Sequence, residues 1–453
     1  MVAKSLLALA LAVTVSATIV AAQQDYKVVC YYDSRAHWRH GQGRMRAADI
    51  DPSLCTHLVY GPAKLNVENY HLQPYNPELD LESGRGNYME IAGLKARNPR
   101  LVVLLGVGIW PAGIAEGLDP VDPEEPDYFA ASEPYQTLIE DHDKRDAFIE
   151  SARSLVKRAG FDGMDLAWPF PKEPFKKDRG TVGQWWHSVR RKFGAGRSDT
   201  KPEPDDVATR RRNGFAALVR EAKSAFSRSS TPLYVTISAP PTTNITAYFD
   251  VHSLTTQVDQ IHLMAFDYIT PFRQKTKASQ PAPLYVTDPR LHSVDSTVRK
   301  WLSLGTPGRK LVLGIPAFGR TWRLPDGVLP TACLPPATSE GPGEVGPYTN
   351  TLGMLAYYEI CHNISHPGIG DTFGLSNFPD PTRKIGPYAY RAGEHNPIWV
   401  GYDDLDFVGT KAAYAKTKGL GGIAFWDISM DDFGGVCSVT KFPLLRAAKA
   451  RLV

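Results

Sequence analysis

Eight short apolar runs constrain what this chain can fold into more than any other feature. They are bounded by loops, are separated by helical segments and cover residues 27–32, 56–60, 101–107, 163–168, 233–238, 260–266, 310–316 and 422–426. Uninterrupted apolar runs are typical of parallel strands that are buried on both faces. Eight alternations of strand and helix predict an α/β fold, the (β/α)8 TIM barrel, whose functional residues lie at the C-terminal strand ends.

The segments between these runs carry apolar stripes at helical spacing. Apolar residues recur every three to four positions over 148–159, where Gly160 ends the stripe, and again over 215–226. A doubly wound open sheet is the alternative α/β fold, but it places a glycine-rich phosphate-binding turn after its first strand. No such turn follows residues 27–32, so we predict the barrel.

Residues 1–22 predict a secretory signal peptide that is cleaved. The segment has Lys4 near its start, a long apolar stretch, and small residues Val20 and Ala22 at the spacing that signal peptidase accepts. An uncleaved membrane anchor is the alternative, because residues 5–22 are just long enough to span a bilayer. No later stretch is apolar enough to do so, and we therefore expect residues 23–453 to form a secreted, extracellular protein.

The composition bounds the domain count and excludes few functions. At 453 residues the chain is long enough for one large barrel or for two to three ordinary domains. Its formal net charge of +3 gives no overall case for nucleic-acid binding. The 12 histidines form no spaced cluster with cysteines, so the sequence predicts neither a metal site nor a cofactor.

Cysteines and glycosylation motifs fit a secreted protein. Five cysteines imply two disulfides and one unpaired thiol, although composition does not say which residues pair. Two N-x-S/T motifs begin at Asn244 and Asn363, and neither has proline at its middle position. We expect both asparagines to lie on the surface and to carry glycans.

The fourth apolar run belongs to the stretch FDGMDLAWPFP at residues 161–171. Alternate residues of a strand share one face, so Asp165, Ala167 and Pro169 are predicted to point together into the interior that the strand lines. The stretch resembles the fourth barrel strand of the family 18 glycoside hydrolases, the chitinases and chitinase-like proteins. Active members of that family read DGxDxDWE at these positions, whereas this chain reads DGMDLAWP.

The resemblance implies that the chain is not an enzyme. In active members the terminal glutamate is the general acid that protonates the leaving oxygen, and the aspartate two residues earlier supports the substrate's own acetamido group as it attacks. Position 167 is alanine here and the acid position, 169, is proline. Neither side chain has a titratable atom, and only Asp165 remains of the three.

Within the family, the chain resembles the imaginal disc growth factor group of arthropod chitinase-like proteins. The shared features are the DLAWxFP form of the motif, a basic insertion directly after it, and AFDxxTP at residues 265–271. Two positions depart from the group. Pro169 stands where glutamine is expected, which leaves the loss of catalysis unchanged, and Pro62 stands where an aromatic residue is usual, which puts one sugar-stacking contact in doubt.

The resemblance also implies a disulfide pattern, an insertion domain and a sugar cleft. It pairs Cys30 with Cys55 and Cys361 with Cys437, which leaves Cys333 free and open to pairing with another chain. It places a small α+β domain at residues 322–397, between the seventh and eighth strands, as one wall of the cleft. The residues at the family's cleft positions are Trp110, Asp267, Arg320, Trp399 and Trp426. Against binding, Phe266 and Phe318 replace two phenols that help to hold substrate in active members, and each lost hydrogen bond costs about 1 kcal/mol.

A basic segment at residues 171–206 follows the degenerate motif. Lysine and arginine outnumber acidic residues in it, and residues 182–193 have apolar positions at helical spacing. The simpler interpretation is a solvated helix with Trp185 or Trp186 docked on the barrel. The alternative is contact with an anionic polysaccharide or a receptor.

Three functions remain open from the sequence. We favour a secreted growth-promoting or signalling protein without catalytic activity, with an unidentified cell-surface or matrix protein as partner and with or without weak chitooligosaccharide binding. The second is a chitin-binding, lectin-like protein of cuticle or matrix, which Trp426, Trp110 and Asp267 support. The third is a hydrolase with a relocated acid such as Glu173, although a loop residue there is not placed within hydrogen-bond reach of the cleft.

Overall fold

The computed structural model describes residues 25–108, 126–170, 205–228, 232–241, 244–286, 288, 290–365, 374–392 and 396–452. Its strands, in chain order, are β1 (Lys27–Asp33), β2 (His57–Leu65), β3 (Leu72–Pro74), β4 (Val102–Gly108), β5 (Gly163–Ala167), β6 (Tyr234–Ala239), β7 (Gln260–Leu263), β8 (Lys277–Ala278), β9 (Leu311–Pro316), β10 (Phe318–Arg323), β11 (Ala337–Thr338), β12 (Met354–Ala356), β13 (Ser376–Phe378), β14 (Tyr388–Arg391), β15 (Ile398–Gly401) and β16 (Gly422–Trp426).

The α-helices of the described residues are α1 (Pro77–Asp80), α2 (Asn87–Gly93), α3 (Pro126–Glu140), α4 (His142–Arg158), α5 (Asp205–Ser227), α6 (Ile245–Tyr248), α7 (Val251–Gln257), α8 (Val294–Ser303), α9 (Tyr357–Ser365), α10 (Leu405–Thr417) and α11 (Pro443–Leu452). Short 3-10 helices cover Ser34–Trp38, Gly41–Gly43, Ala47–Asp49, Leu94–Ala96, Gly308–Lys310 and Pro330–Ala332. No helix among the described residues is both long enough and apolar enough to cross a membrane.

Eight parallel strands close into the predicted TIM barrel. Their order around the barrel is β1-β16-β9-β7-β6-β5-β4-β2, and β1 pairs with β2 to close it, with Val29 opposite His57. Each strand begins within one residue of the run predicted for it, while β7 ends at Leu263 rather than at residue 266. The prediction of the barrel is therefore confirmed.

Local signals explain where the surrounding helices begin and end. Asp141 caps α4 by accepting hydrogen bonds from the backbone N–H groups of Asp143 and Lys144, and the apolar stripe of this helix is buried against the barrel. After the helix, Gly160 has φ +71°, a left-handed conformation that glycine adopts at little cost. The side chains of Ser293 and Ser296 cap α8 reciprocally.

A second, antiparallel sheet lies between the last two barrel strands in the sequence. Its strand order is β12-β10-β15-β14-β13, which agrees with the predicted insertion between the seventh and eighth barrel strands. The sheet includes β10 and β15, so it extends from Phe318 to Gly401, beyond the predicted limits of 322–397. Its small core contains Trp322, Trp399 and Tyr388.

A buried ion pair joins the end of this insertion to the helix before the last barrel strand. Lys411 in α10 donates to Asp403 Oδ2 at 2.5 Å, and both side chains are almost completely buried. Burial raises the pKa of Asp403 to about 6 even with Lys411 beside it, and lowers the pKa of Lys411. The other oxygen, Asp403 Oδ1, has no hydrogen-bond partner among the described residues.

Several sequence predictions fall outside the described residues. The signal peptide at 1–22 and Trp110 lie there, and so does the basic segment apart from its last two residues, which begin α5. These remain predictions.

Candidate functional site

Asp165 lies in the middle of β5, at the centre of a polar cluster inside the barrel, and is fully buried. Its Oδ1 atom accepts a hydrogen bond from Thr236 Oγ1 at 2.5 Å and lies 3.3 Å from His262 Nδ1. Its Oδ2 atom accepts from Ser238 Oγ at 2.6 Å and from the Tyr31 hydroxyl at 3.1 Å. Four side chains from β1, β6 and β7 therefore satisfy this carboxylate from within the protein.

The hydrogen bonds continue from this cluster towards the N-terminal end of the barrel. The Tyr31 hydroxyl lies 2.5 Å from His262 Nδ1, and His262 Nε2 lies 3.1 Å from Gln260 Oε1. Gln260 Nε2 lies 2.9 Å from His57 Nε2, and the other ring nitrogen of His57 meets Thr56 Oγ1 at 2.8 Å. An amide oxygen only accepts and an amide nitrogen only donates, so His262 Nε2 carries a proton and His57 Nε2 does not.

The pKa values in this chain follow from burial and hydrogen bonding. Burial by itself would raise the pKa of Asp165, but the hydrogen bond and charge of His262 and the hydrogen bonds from Ser238 and Thr236 outweigh it, so the net shift is downward. Burial, together with His262 and Lys27, lowers the pKa of His57 to about 3. Asp165 is thus held as an anion, and His57 is neutral at physiological pH.

The two positions after Asp165 on the same strand face offer no proton donor. Ala167 ends β5, and its methyl side chain is half-buried. Pro169 is buried, and its carbonyl oxygen accepts a hydrogen bond from Gln136 Nε2 at 2.7 Å, which anchors the segment to α3. A proline and an alanine supply neither a general acid nor a charge to the barrel mouth.

Aromatic side chains fill the C-terminal end of the barrel. Trp426 ends β16 and is 6% exposed, with its ring 4.7 Å from that of Tyr31 and 6.4 Å from that of Phe266. Phe266 in turn packs edge to face against Phe318 at 5.8 Å. A ligand at this floor would meet the exposed part of Trp426 and two apolar rings, without the hydroxyl groups that two phenols would offer.

An ion pair lies beside this aromatic floor. Arg320 donates to Asp267 through two nitrogens, with Nε at 2.8 Å from Oδ1 and Nη2 at 2.6 Å from Oδ2. The guanidinium carbon also lies 5.1 Å from the centre of the Phe318 ring. Both charged side chains remain slightly exposed, so the structure brings these two predicted cleft residues together at the mouth, where they present a paired rather than a free charge.

The placement of Trp399 corrects the expectation that it lines the cleft. Its side chain is fully buried in the core of the insertion, where it stacks on Tyr388 at 5.5 Å and meets Trp322 edge to face at 5.7 Å. Its indole Nε1 donates to the carbonyl oxygen of Cys333 at 3.1 Å. The ring therefore stabilises the second sheet and has no face available to a ligand.

The structure also locates the predicted disulfides and glycosylation sites. Cys30 is bonded to Cys55 and Cys361 to Cys437. Asn244 is exposed, as its predicted role requires. Asn363 departs from the expected surface position, because it lies in α9 with 7% of its surface exposed, and a glycan there would have to displace the packing around it.

Cys333, the cysteine outside the two disulfides, is buried beside Trp399 in the insertion core. Burial raises the pKa of its thiol, which disfavours the reactive thiolate. A disulfide between two copies of the chain would therefore require this part of the insertion to open.

Sequence reasoning missed the partners of Asp165. Tyr31, Thr236, Ser238 and His262 lie in the apolar runs that predict strands, and each is a polar residue at a position that should be buried. That mismatch is a usable signal, because a buried polar side chain requires a partner. Their convergence on one carboxylate was not readable from spacing along the chain.

Comparisons with known proteins extend over nearly the whole chain. The sequence profile of the family described as glycosyl hydrolases family 18 matches residues 27–431. Chitinase-like protein EN03 of Bombyx mori is 40% identical over 435 residues, covering 94% of this chain and 95% of the relative. Chitinase-like protein Idgf4 of Drosophila melanogaster is 36% identical over 445 residues, or 96% of each chain.

Among solved structures, human YKL-39 superposes with a TM-score of 0.72 at 26% identity, covering 94% of this chain and 99% of YKL-39. It is described as a pseudo-chitinase with retained chitooligosaccharide binding properties. The superposition therefore includes both the barrel and the insertion.

Proposed function

Because this chain belongs to glycosyl hydrolase family 18, we propose that it keeps the barrel of the family without its hydrolytic chemistry and acts outside the cell as a growth-promoting or signalling protein. The observation that carries the proposal is the strand face after Asp165. Glycosidic hydrolysis requires a proton donor at the leaving oxygen, and the positions that would supply it and support the attacking group hold Pro169 and Ala167.

The surroundings of Asp165 support the same conclusion. A carboxylate that takes part in the reaction needs a face towards the substrate, whereas Asp165 is fully buried and accepts hydrogen bonds from Tyr31, Thr236 and Ser238. In this chain it acts as an organiser of the barrel interior. The signalling role itself rests on similarity to chitinase-like proteins, one of which is named Idgf4.

The first test separates signalling from hydrolysis. The purified, disulfide-bonded protein is expected to stimulate proliferation of cultured cells while releasing no reducing sugar from chitooligosaccharides, because positions 167 and 169 hold no proton donor. Sugar release that disappears in Glu173→Gln would instead establish a hydrolase with a relocated acid. The variant Gln136→Ala, which changes the anchor of Pro169 and adds no titratable group, is the control and is expected to release no sugar either.

Weak chitooligosaccharide binding is a second candidate function, and the barrel mouth supports it. Trp426 retains an exposed part, and Asp267 and Arg320 add polar atoms next to it. The retained binding of the YKL-39 pseudo-chitinase supports the same function in a chain whose acid position holds Pro169. Phe266 and Phe318 act against it, because they remove hydrogen-bonding groups from the floor.

Calorimetric titration with chitooligosaccharides of increasing length tests this binding. Affinity is expected to rise with length, and Trp426→Phe is expected to weaken it about threefold to tenfold, since a smaller ring offers less stacking area. Tyr285→Ala removes an exposed aromatic ring that packs against Tyr414 of α10 and should leave the affinity unchanged. If no heat is released at millimolar ligand, the barrel is a scaffold that does not bind chitooligosaccharides. Tight binding to polymeric chitin would instead favour the lectin-like alternative in cuticle or matrix.

A further inference from the structure

We propose that the rim of the barrel beside β1 binds an acidic polysaccharide, a sulfated or uronate-containing chain, through a surface made of Trp38, Arg44, Arg46 and Arg85. This Trp38 surface follows β1 at the same end of the barrel as the aromatic floor at Trp426, and it is made of other residues than that floor. It requires neither catalysis nor chitooligosaccharide binding, and it would hold the protein at matrix or cell-surface glycans.

Trp38 is held as an exposed platform. It ends the 3-10 helix Ser34–Trp38, which follows β1 and is capped by the side chain of Asp33. The indole is 41% exposed, one of the large apolar side chains that the described residues leave in contact with solvent. The His37 ring packs edge to face against it at 4.9 Å, and the Arg85 guanidinium carbon lies 5.9 Å from the ring centre. The His37 ring therefore supports the indole, and Arg85 places a cation next to it.

Within the part of the chain that the structure describes, no ion pair neutralises the cations around this platform. Arg44, Arg46 and Arg85 are all exposed, and none of them is within ion-pair distance of a carboxylate of a described residue. Acidic residues are close to two of these arginines without forming an ion pair with them. The Glu78 carbonyl oxygen accepts a hydrogen bond from the backbone N–H of Arg85, and Asp49 Oδ2 accepts one from the backbone N–H of Arg46 at 2.8 Å. Some other exposed arginines do have such a partner, as Arg323 does in Glu340 and Arg383 does in Asp406.

His37 reports the resulting positive potential. The His37 side chain is buried, with 5% of its surface exposed, and Arg44 Nη2 lies 3.3 Å from its Nε2 atom. Burial first, and then the charges of Arg44, Arg85 and Arg46, lower the pKa of His37 to about 4, with no carboxylate acting in the opposite direction. Its Nδ1 atom has no hydrogen-bond partner among the described residues. The imidazole is thus neutral, and the local field favours an anion.

The Trp38 surface is extended along the rim by a second aromatic residue. Tyr75 lies under Lys64, whose Nζ atom is 5.7 Å from the ring centre, and under Arg35, whose guanidinium carbon is 6.0 Å away. Arg35 is neutralised by Asp33, whereas Lys64 is exposed. Positions three apart in a 3-10 helix are eclipsed, so Arg35, which lies over Tyr75, and Trp38 are on one side of that helix.

This combination fits an acidic polysaccharide better than a neutral one. An aromatic face packs against the C–H face of a sugar ring, and the planar guanidinium group donates two parallel hydrogen bonds to a carboxylate or sulfate. A neutral chitooligosaccharide would use the ring and leave three cations without a counter-charge. An acidic protein segment would use the cations and leave the sugar-stacking ring unused.

The test measures binding of the full secreted chain to a heparin oligosaccharide over a series of salt concentrations. The triple variant Arg44→Gln/Arg46→Gln/Arg85→Gln is expected to bind at least about tenfold more weakly. Its affinity should also depend less on salt, because three contacts with sulfate or carboxylate groups are lost. The matched control, Arg100→Gln/Arg228→Gln/Lys300→Gln, removes the same charge from exposed positions elsewhere on the barrel. It is expected to change the affinity less than about threefold.

A second variant distinguishes sugar recognition from charge alone. Trp38→Ala keeps the net charge and is expected to weaken heparin binding about fivefold, since it removes the stacking platform. Polyglutamate of matched charge is expected to bind more weakly than heparin and to be insensitive to Trp38→Ala. The proposal is overturned if the native chain does not bind heparin at physiological salt, if both triple variants weaken binding equally, or if Trp38→Ala leaves heparin affinity unchanged.

Discussion

Replacing Asp165 with alanine is expected to lower the free energy of unfolding by about 3–5 kcal/mol, because several buried hydrogen-bond donors lose their shared acceptor. The variant leaves the hydroxyl groups of Tyr31, Thr236 and Ser238 and the His262 ring without their shared acceptor, in a place that water does not reach. Urea denaturation followed by tryptophan fluorescence measures the change as a shift of the unfolding midpoint.

Thr236→Val serves as the matched control for this variant, because it removes one of the donors and keeps the carboxylate. Its cost is expected to be about 1 kcal/mol, the value of a single internal hydrogen bond. If Asp165→Ala and Thr236→Val lower the free energy of unfolding equally, Asp165 is not the centre of the cluster. A loss of less than about 1 kcal/mol in the free energy of unfolding of Asp165→Ala would show that Asp165 has no structural role.

The pH dependence of Asp165→Asn gives the same role an independent signature. The pKa of Asp165 is lowered in the folded chain, so its ionised form contributes stability above the unfolded pKa of about 3.9, and this stability is lost as the pH falls through the lower folded value. The difference in free energy of unfolding between the native chain and Asp165→Asn should therefore be constant at neutral pH and should shrink below about pH 4.

Replacing Lys411 with methionine is expected to cost a similar amount, about 3–5 kcal/mol at pH 7, because it leaves the Asp403 carboxylate buried without a counter-charge. Lys411 is 0% exposed and Asp403 is 2% exposed, so neither group is solvated once its partner is removed. The free energy of unfolding is measured in urea with a signal that reports on both the insertion and the barrel.

The double variant Lys411→Met/Asp403→Leu is the control for this pair. Removing both charges is expected to recover most of the lost stability, since an apolar pair of similar volume often replaces a buried ion pair at little cost. If the double variant is as unstable as Lys411→Met, packing rather than charge explains the loss.

The pH profile of Lys411→Met has the opposite sign to that of Asp165. The pKa of Asp403 is raised to about 6 even with Lys411 present, and losing the cation raises it further. A carboxyl group with a raised folded pKa stabilises the fold at low pH, and this stability is lost as the pH rises through the folded value. Lys411→Met should therefore be closest to the native chain at about pH 4–5 and furthest from it above pH 7.

Much of the fold was predictable because its signals are local. Each barrel strand begins within one residue of the start of an apolar run, and the stripe before Gly160 ends within one residue of the end of helix α4. The resemblance to chitinase-like proteins is confirmed by relatives at 36% and 40% identity. The limits of the insertion were less accurate, because β10 and β15 pair with each other across the predicted boundary.

The candidate site was predicted only in part, because its contacts are distant in the sequence. Asp267 and Arg320 were named separately, and the structure joins them in one ion pair at the mouth. Trp399 was placed in the cleft by position in a motif, yet strand alternation turns its ring into the core of the second sheet. A tryptophan looks the same in sequence whether it binds a sugar or packs a core.

The sequence by itself determined that this barrel has no general acid at Pro169 and no second carboxylate at Ala167, since the chemistry of a side chain depends on its type wherever it lies. Only the tertiary structure decided what Asp165 does. Its partner Tyr31 is 134 positions away in the chain, and the two meet because the barrel closes between β1 and β2 and turns alternate strand residues inwards. The position of Trp38 after the end of β1 likewise brings it near Arg44 and Arg85, which are exposed and have no ion-pair partner among the described residues.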